Sequence, residues 1–398
     1  MKDHSPILPG ATIGFLGGGQ LGRMTAFAAR SMGYDIAVMD PDPDCPAGPM
    51  ASRLITAPYA DADAAAELAR GCDVVTLEIE QIPLATLEAA AALAPLRPGV
   101  DVVHMIQDRG RQKSWLHSHG FPVGPHRIVE SEEDCVDAVR TMGASIIKSC
   151  FGGYDGRGQA RVSDHVEAAE GWHTVGAARC VVEGFLDIAD ELSILVARQS
   201  DGSCSVFPPA RNHHVNGVLA WSVTPTGLDA AVERDARALG RAVAEASGIE
   251  GLLAVEIFLL HDGRLLVNEL APRPHNTFHA TERACATSQF EQLVRTICNL
   301  PFGDTTILDP TAIANMLGDL WTSGTPEFTE ALSVAGVRLH LYGKKSARPG
   351  RKMGHLSGVG ADYAHALVRT LDAYDALGGA PADRRSMEPH AASARIRP

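Results

Sequence analysis

The sequence predicts a protein of several domains, in which an α/β part with a parallel sheet is followed by an α+β part and a small β-rich part. The chain has 398 residues, which is too long for one hydrophobic core of ordinary size. Its first hundred residues alternate short apolar runs with segments of helical spacing, an alternation typical of parallel sheets. After about Gln107 the apolar runs follow one another through short turns, as antiparallel strands do.

The individual elements can be read from these runs. In the first part the predicted strands are ATIGFLG, YDIAVMD and CDVVTLEI, and the predicted helices are the segment from Gln20 to Met32 and LATLEAAAALA. In the second part the predicted strands are ASIIKS, ARVSD, CVVEGF, ELSILVAR, CSVFPPA, LLAVEIFLL and RLLVNEL. From about Ile313 a smaller β-rich segment begins, with VRLHLYG as its clearest strand. Beyond about Gly378 the chain is rich in Ala, Pro and Arg and has no apolar period, so we expect a loose tail.

The composition excludes several classes of protein. The chain is 45% hydrophobic and 21% charged, as globular proteins are. Its net charge of −13 disfavours a nucleic-acid partner, because neutralising phosphates requires a basic face. We find no apolar run long enough to span a membrane and no signal-peptide pattern at the N-terminus. The eight cysteines form no CxxC pair, so we expect reduced thiols in a cytoplasmic protein.

A glycine-rich turn lies between the first predicted strand and the first predicted helix. Gly17, Gly19 and Gly22 have the spacing GxGxxG, and Asp40 ends the next strand. Taken alone, this pattern is a dinucleotide-binding fingerprint, in which a helix N-terminus binds a phosphate. Three interpretations remain open: the site of an NAD-dependent dehydrogenase, a site for another phosphate ligand, and a tight turn without a ligand.

The stretch AVEIFLLHDGRLLVNEL predicts a β-hairpin with two facing carboxylates. Asp262 and Gly263 are typical of a two-residue turn, which would place Glu256 directly opposite Glu269. Like charges in this position repel each other, and a divalent cation between them removes the repulsion. Hard oxygen ligands of this kind suit Mg²⁺. Alternatively, one carboxylate points to solvent or pairs with an arginine such as Arg273.

Two further segments are candidates for binding anions. Lys148 ends a predicted strand and is followed by FGGYDGRGQ, in which flexible glycines allow backbone N–H groups to surround phosphate oxygens. Loops of this type close over reactive intermediates, although an ordinary long turn has a similar composition. Five Lys or Arg residues fall between 344 and 352 in this acidic chain, which suits an anionic ligand unless the loop is simply solvated.

Together these motifs resemble the N5-carboxyaminoimidazole ribonucleotide synthetase family, which are biotin-independent ATP-grasp carboxylases of purine biosynthesis. The resemblance extends from about residue 9 to 365 and rests on stretches that occur in the family's order. These are GGGQLGRM, DPDPDCPA, QDR, GGYDGRGQ, NELAPRPHN, TSQFEQ and RPGRKMGH.

The resemblance implies an ATP-grasp fold with a Rossmann-like pre-ATP-grasp domain over residues 1–106 and an ATP-grasp domain over 107–310. It places a lid at about 150–190, a small β-rich C-terminal domain at 311–375 and the tail at 376–398. It also implies a homodimer.

The same resemblance assigns roles to individual residues. It implies that ATP is bound by Arg109, Lys148, Gly153, Tyr154, Asp155, Gly156, Arg157, Gly158, Gln159, Glu183, Glu191, His214 and Asn268. Within this set Glu183 reads adenine and Glu191 binds the ribose. Glu256 and Glu269 hold Mg²⁺ or Mn²⁺, while Arg273 and Lys148 are catalytic. Substrate binding falls to Gln20, Leu21, Glu78, His275, Asn276, Lys344, Arg351 and Lys352.

The implied reaction is the attack of bicarbonate on the γ-phosphate of ATP, followed by transfer of the carboxyl group to the amine of aminoimidazole ribonucleotide. Three departures from the family pattern fall near the expected amine site: Cys150 where the family has arginine, Phe278 where it has glycine, and Ala280 where it has an aromatic ring. Glu78 and Glu80 are retained at a strand end, where ligands usually bind or where carboxylates are simply solvated. Three alternatives therefore remain beside the family reaction: a ligase for a different phosphorylated amine, an NAD-dependent dehydrogenase, and an inactive nucleotide-binding homologue.

Overall fold

A computed structural model describes residues 4–153, 158–176 and 178–389. In these ranges no helix has both the length and the apolar character needed to cross a membrane. Four of the predicted lid residues, Tyr154, Asp155, Gly156 and Arg157, lie outside the described residues.

The N-terminal part is a parallel sheet covered by helices, as the alternating sequence predicts. Its strands are β1 (Thr12–Leu16), β2 (Asp35–Asp40), β3 (Arg53–Thr56) and β4 (Val74–Leu77), in the order β3-β2-β1-β4. Its helices are α1 (Gln20–Ser31), α2 (Ala62–Arg70) and α3 (Leu84–Ala91). Strands β1 and β4 are almost wholly buried, because helices cover a parallel sheet on both faces. The carboxyl ends of β1 and β4 therefore meet at one edge of the sheet.

Two helices connect this part to a small antiparallel sheet that carries the glycine-rich loop. The connecting helices are α4 (Val100–Ile106) and α5 (Arg109–Ser118). The small sheet contains β5 (His126–Val129), β6 (Ser145–Ser149), β7 (Gln159–Val162) and β8 (Cys180–Gly184), in the order β5-β8-β6-β7. Helices α6 (Glu132–Met142) and α7 (Ala168–Val175) pack with it around a separate apolar core. The glycine-rich loop joins the edge strand β7 to β6.

The largest sheet extends from the central part into the β-rich C-terminal part. It contains β9 (Ile188–Arg198), β10 (Cys204–Val206), β11 (Ala210–Val215), β12 (Val218–Thr224), β13 (Gly251–Leu260), β14 (Leu265–Ala271), β15 (Thr311–Leu317), β16 (Val337–Leu341) and β17 (Lys352–Val359). The strand order is β14-β13-β9-β11-β12-β15-β17-β16, with β10 beside β9. The pairing of β12 with β15 makes the C-terminal strands a continuation of the central sheet. The basic residues between β16 and β17 are therefore connected to the central part through this continuous sheet.

The remaining helices flank this sheet. They are α8 (Ala230–Ser247), α9 (Thr281–Ala284), α10 (Gln289–Ile297), α11 (Phe328–Ser333) and α12 (Tyr363–Asp375). Helix α10 packs against α1 of the N-terminal part, so the first and the central parts of the chain share one apolar core.

The segment after α12 is not the loose tail that its composition predicts. The buried guanidinium of Arg211 donates to the carbonyl oxygens of Ser386 at 2.6 Å and Met387 at 2.7 Å. The indole N–H of Trp221 donates to the carbonyl oxygen of Asp383 at 3.1 Å. The expectation was wrong over these residues because backbone carbonyls, not an apolar stripe, attach them to the domain. Residues 390–398 lie outside the described part of the chain.

Candidate functional site

A cleft of about 750 Å³ lies where the N-terminal, central and C-terminal parts meet. Its walls contain nearly all of the predicted site residues that the structure describes. These are Gln20, Leu21, Glu78, Arg109, Lys148, Gly153, Gln159, Glu183, Glu191, His214, Glu256, Asn268, Glu269, Arg273, His275, Asn276, Lys344, Arg351 and Lys352. Gly158 is outside this lining, and its carbonyl oxygen accepts from the backbone N–H of Ser149 at 2.8 Å. Gly158 thus closes the β6–β7 ladder, whereas the sequence predicts a contact with ATP.

The glycine-rich turn before α1 is filled by a carboxylate of the chain itself. Glu78, which follows β4, accepts from the backbone N–H of Gly19 at 2.7 Å and of Gly22 at 2.8 Å. These donors belong to the helix N-terminus, which has no other partner for them within the helix. Asp40 likewise accepts from Gly18 N–H at 2.7 Å and from the Tyr59 hydroxyl at 2.8 Å. The dinucleotide interpretation is therefore wrong, because an internal carboxylate occupies the place of the phosphate.

We predict that Glu78→Gln destabilises the fold by about 1–3 kcal/mol, since the two carboxylate oxygens accept from one buried N–H group each, whereas an amide has a single oxygen and would turn its NH₂ group toward the second N–H. Urea unfolding of the full chain measures the change. Glu67→Gln is the matched control, because Glu67 forms an exposed ion pair with Arg53. Equal effects of the two substitutions would contradict the role of Glu78 as the partner of this turn.

The predicted hairpin places the two glutamates opposite each other, although its turn differs from the prediction. Leu260 N–H donates to the carbonyl oxygen of Arg264, so the loop has three residues, 261–263, where the sequence predicts two. Continued without interruption, this register would pair Glu256 with Asn268. A β-bulge at Asn268 restores the pairing of Glu256 with Glu269. The predicted pair is thus confirmed, while the two-residue turn is wrong.

The environment of the two glutamates fits a divalent cation. Glu256 accepts from the side-chain amide of Asn268 at 3.1 Å, and Glu269 lies 2.6 Å from a guanidinium nitrogen of Arg109. Burial raises the pKa of the Glu256 carboxyl, and the neighbouring Glu269 raises it further. A cation held between the carboxylates would stabilise their charged forms and so lower the pKa of Glu256. The four oxygens of the two carboxylates are ligands that Mg²⁺ accepts.

A second group of charges surrounds Glu183 on β8. The amino group of Lys148 lies 2.6 Å from one carboxylate oxygen, and that of Lys113 lies 3.3 Å from the other. Burial alone would raise the pKa of Glu183, but the two lysines outweigh burial and lower it to about 2. Lys113 was not among the residues predicted from the sequence. The sequence feature that could have identified it is its i, i+4 spacing from Arg109, which places both cations on one face of α5.

This pKa predicts a dependence of stability on pH. A carboxyl whose folded-state pKa is depressed contributes stability above its unfolded pKa and loses that contribution as pH falls toward the folded value. We expect the unfolding free energy of the wild type, relative to Glu183→Gln, to fall by about 3 kcal/mol between pH 6 and pH 2. Denaturant unfolding across this range measures it, with Glu88→Gln at an exposed position as control. Equal pH slopes for the wild type and Glu183→Gln would contradict the assignment.

Arg273 is held in the cleft by a carboxylate from the N-terminal part. Its guanidinium forms two contacts with Glu80, and the Nη2–Oε1 distance is 3.1 Å. Burial alone would lower the pKa of Arg273, but Glu80 outweighs it and holds the guanidinium charged. Of the two carboxylates after β4, Glu78 thus binds the glycine-rich turn and Glu80 positions an arginine. The Arg273 planar fork is fixed before any substrate binds.

Gln20 and Asn276 form a polar wall whose orientation is fixed by a buried histidine. Gln289 accepts from the backbone N–H of His275 at 2.8 Å, so its amide nitrogen faces Nδ1 of His279 at 3.3 Å. The opposite ring nitrogen, Nε2, lies 2.9 Å from the amide nitrogen of Gln20 and 3.1 Å from the Asn276 oxygen, which also accepts from Gln20 at 2.7 Å. Burial, followed by the nearby charges, keeps the pKa of His279 well below its usual value, so this wall stays neutral.

The predicted basic segment forms one rim of the cleft. The residues that line it are Lys344, Arg348, Arg351 and Lys352. Lys344 donates to the carbonyl oxygen of Lys352 at 2.6 Å, which ties the rim to the start of β17. Lys345 instead pairs with Asp44 at 2.6 Å. This concentration of positive charge suits a phosphate group at the C-terminal side of the cleft.

Apolar residues of the cleft wall were not predicted. They include Ile146, Phe185, Leu186, Leu219 and Phe258. In the sequence these residues belong to strands or strand ends and have the same pattern as core residues. Only their position beside the small and large sheets distinguishes them from core residues. The apolar slot that they form suits an adenine ring.

Two of the three departures from the family pattern lie outside the cleft. Phe278 is 2% exposed and packs in the core, with its ring centroid 6.3 Å from that of Phe207. Ala280 is 1% exposed and packs against Leu219 and Ile313. The expectation that these residues alter the amine site is wrong, because the short 3₁₀ turn Asn276–Phe278 directs the phenyl ring into the core.

Cys150, the third departure, lies beneath the lid. It is 2% exposed, and its carbonyl oxygen accepts from the backbone N–H of Arg109 at 2.8 Å. Burial raises the pKa of its thiol, and the adjacent Asp108 adds to this effect. Arg179, which is bonded to Asp108 at 2.7 Å, places a guanidinium in the same neighbourhood. Cys150 is therefore an unreactive thiol in a region that retains a positive charge.

Three domain families match successive parts of the chain. The ribonucleotide synthetase preATP-grasp domain matches residues 10–107, the ATP-grasp domain matches 114–290, and the phosphoribosylaminoimidazole carboxylase C-terminal domain matches 311–369. These matches cover the three parts that together form the cleft.

Curated relatives and solved structures match over most of their length. The N5-carboxyaminoimidazole ribonucleotide synthase of Brucella melitensis is 38% identical, over 90% of this chain and 98% of the relative. That of Bacillus subtilis is 40% identical, over 88% and 92%. Among solved structures, the synthetase from Staphylococcus aureus with ADP is 33% identical with a TM-score of 0.86, over 94% of this chain and 98% of the other. The Aspergillus clavatus enzyme with ADP and 5-aminoimidazole ribonucleotide is 27% identical with a TM-score of 0.84, over 92% and 98%. This chain therefore belongs to the N5-carboxyaminoimidazole ribonucleotide synthase family of ATP-grasp enzymes.

Proposed function

We propose that the chain uses ATP and bicarbonate to carboxylate 5-aminoimidazole ribonucleotide, giving N5-carboxyaminoimidazole ribonucleotide, ADP and phosphate. The observation that supports this most directly is the convergence of three sets of side chains on one cleft of about 750 Å³. They are a pair of facing carboxylates, a group of cations beside the glycine-rich loop, and a basic rim from the C-terminal strands. A relative with this fold binds ADP and the ribonucleotide together.

The central part supplies the ATP end of the cleft. The apolar slot receives adenine, and Glu191, which pairs with His214 at 2.6 Å, faces the ribose. Lys148 and Arg109 are already paired with carboxylates, at 2.6 Å each, and exchange those partners for phosphate oxygens when ATP binds. The family resemblance implies a lid over this end of the cleft, and exclusion of water there protects a carboxyphosphate intermediate from hydrolysis.

Glu256 and Glu269 would hold Mg²⁺, which supplies charge neutralisation at the β- and γ-phosphates. The chain positions these ligands from both sides. Asn268 holds Glu256 through the bulge, and Arg109 holds Glu269 from α5. The glutamates thus remain ordered before the nucleotide arrives.

The carboxyl transfer takes place between the ATP end and the polar wall. An oxygen of bicarbonate attacks the γ-phosphorus, and ADP leaves. The amine of the ribonucleotide then bonds to the carboxyl carbon, loses a proton, and phosphate leaves. Arg273, fixed by Glu80, stabilises the negative charge that develops on the transferring group. The wall of Gln20 and Asn276 positions the heterocycle, while Lys344, Arg351 and Lys352 bind the 5′-phosphate.

The departures at Phe278 and Ala280 do not support an acceptor amine other than the ribonucleotide, since both residues lie in the core. The homodimer that the resemblance implies remains a prediction, which sedimentation velocity of the purified chain tests.

The test is phosphate release from Mg-ATP and bicarbonate, with and without the ribonucleotide. We expect the ribonucleotide to stimulate release, with one carboxylated product for each ADP. ATP hydrolysis that ignores the ribonucleotide would contradict the proposed acceptor and keep the ATP site. A lack of hydrolysis under all conditions would contradict the proposed function and favour a nucleotide-binding homologue.

A further inference from the structure

A second cluster of metal-ligating side chains lies next to the polar wall. Glu282 on α9, His340 on β16 and His355 on β17 each offer one ligand atom, and these atoms all lie within 4.8 Å of one another. His340 and His355 are direct cross-strand partners, and their rings are stacked with centroids 5.1 Å apart. The Nδ1–Oε2 distance from His340 to Glu282 is 3.4 Å. The cluster is distinct from the cleft, whose lining contains none of these three residues.

We propose that Glu282, His340 and His355 bind a divalent transition-metal ion of the zinc class. Two imidazoles and one carboxylate are the donors that Zn²⁺ and Co²⁺ accept, with further positions left for water. The hard Mg²⁺ prefers an all-oxygen set such as Glu256 and Glu269, so the two sites select different ions. The three ligands come from a helix of the central part and from two C-terminal strands. A bound metal would therefore cross-link the C-terminal strands to helix α9 of the central part.

The rings and the carboxylate are prepared for such an ion. His355 is 1% exposed, and its Nδ1 lies 2.9 Å from the hydroxyl of the fully buried Tyr342. This contact and the stacking on His279, with centroids 4.7 Å apart, fix the plane of the ring.

Glu282 is the most exposed of the three ligands. Arg338 on β16 faces its carboxylate. Arg23 on α1 faces His340, so two guanidinium groups surround the cluster. These cations weaken metal binding without removing the ligand set.

The experiment is a titration of the full chain with Co²⁺ and then Zn²⁺, in the presence of excess Mg²⁺ to occupy harder sites. We expect one equivalent of Co²⁺ with visible d–d absorption and no near-ultraviolet thiolate band, and we expect Zn²⁺ to displace it. Zn²⁺ binding should also raise the thermal midpoint, as for any ligand that binds the folded state. Glu282→Gln and His340→Ala should each weaken Zn²⁺ binding by at least about 10-fold.

The matched controls are Glu330→Gln and His173→Ala, both at exposed positions away from the cluster. Their metal affinity should equal that of the wild type. A thiolate band would place the metal on cysteines and overturn the proposal, as would equal binding by the ligand variants and the wild type. An absence of stoichiometric binding by the wild type would overturn it too. Because none of these readouts depends on turnover, they are independent of the proposed carboxylation.

Discussion

Glu269→Gln is expected to lower the rate of ATP turnover by about 10²–10³-fold, while the fold is retained. The substitution removes the charge of one cation ligand and the partner of Arg109, which lies 2.6 Å away. The neutral amide keeps the size of the side chain, so β14 and its pairing with β13 should be unaffected. Phosphate release at saturating Mg-ATP measures turnover, and denaturant unfolding measures stability.

Glu256→Gln separates the catalytic role of this pair from its effect on stability. Glu256 is buried beside Glu269, and both burial and that neighbour raise its pKa. Without a cation, the neutral amide should therefore leave the unfolding free energy unchanged or raise it, even though turnover is lost.

The matched control for both glutamates is Glu291→Gln. Glu291 forms an equivalent ion pair with Arg295 at 2.7 Å, away from the lining of the cleft. Its turnover should equal that of the wild type. Unchanged turnover in Glu269→Gln would remove the assignment of this pair as the cation site. A loss of fold in that variant would leave Glu256→Gln as the test.

Arg273→Lys is expected to lower kcat by about 10²–10³-fold, with little change in the KM for ATP. Arginine presents a planar fork that Glu80 holds with two contacts, whereas lysine offers a single point charge on a flexible stem. The positive charge beside Glu80 remains, so the variant avoids leaving a buried carboxylate unpaired. An interaction made only in the transition state lowers kcat without changing ground-state binding.

Arg295→Lys is the control for this substitution, because it changes the same residue type in a glutamate pair outside the cleft. Its kinetics should match those of the wild type. If Arg273→Lys raised the KM for ATP and left kcat unchanged, Arg273 would be a nucleotide-binding residue without a role in the transition state.

Much of the site was predictable because its motifs are local. The alternation of the first hundred residues, the glycine-rich loop after Lys148 and the basic segment 344–352 each lie within one short stretch of chain. The Glu256–Glu269 pair was also predictable from a hairpin, although for an incomplete reason. The three-residue turn shifts the register by one residue, and the bulge at Asn268 shifts it back. A sequence pattern reports the alternation of a strand but does not reveal a bulge.

The partners of the charged groups were not predictable, because they join distant parts of the chain. Arg273 meets Glu80, Glu183 meets Lys113, and Asn276 meets Gln20 only after the domains have packed. The departures at Phe278 and Ala280 were misjudged for the same reason, since sequence proximity to a motif does not give the direction of a side chain.

The sequence by itself determined the family, the order of the domains and the chemical character of the cleft: carboxylates for a cation, cations for phosphates and a glycine-rich segment between them. Only the tertiary structure decided which partner each charged side chain has. It assigns Glu78 to the glycine-rich turn, and this excludes a dinucleotide there. It joins the C-terminal strands to the central sheet and brings Glu282 to the two histidines. The physical reason is that spacing specifies local backbone conformation, whereas electrostatic pairing depends on distances that only packing sets.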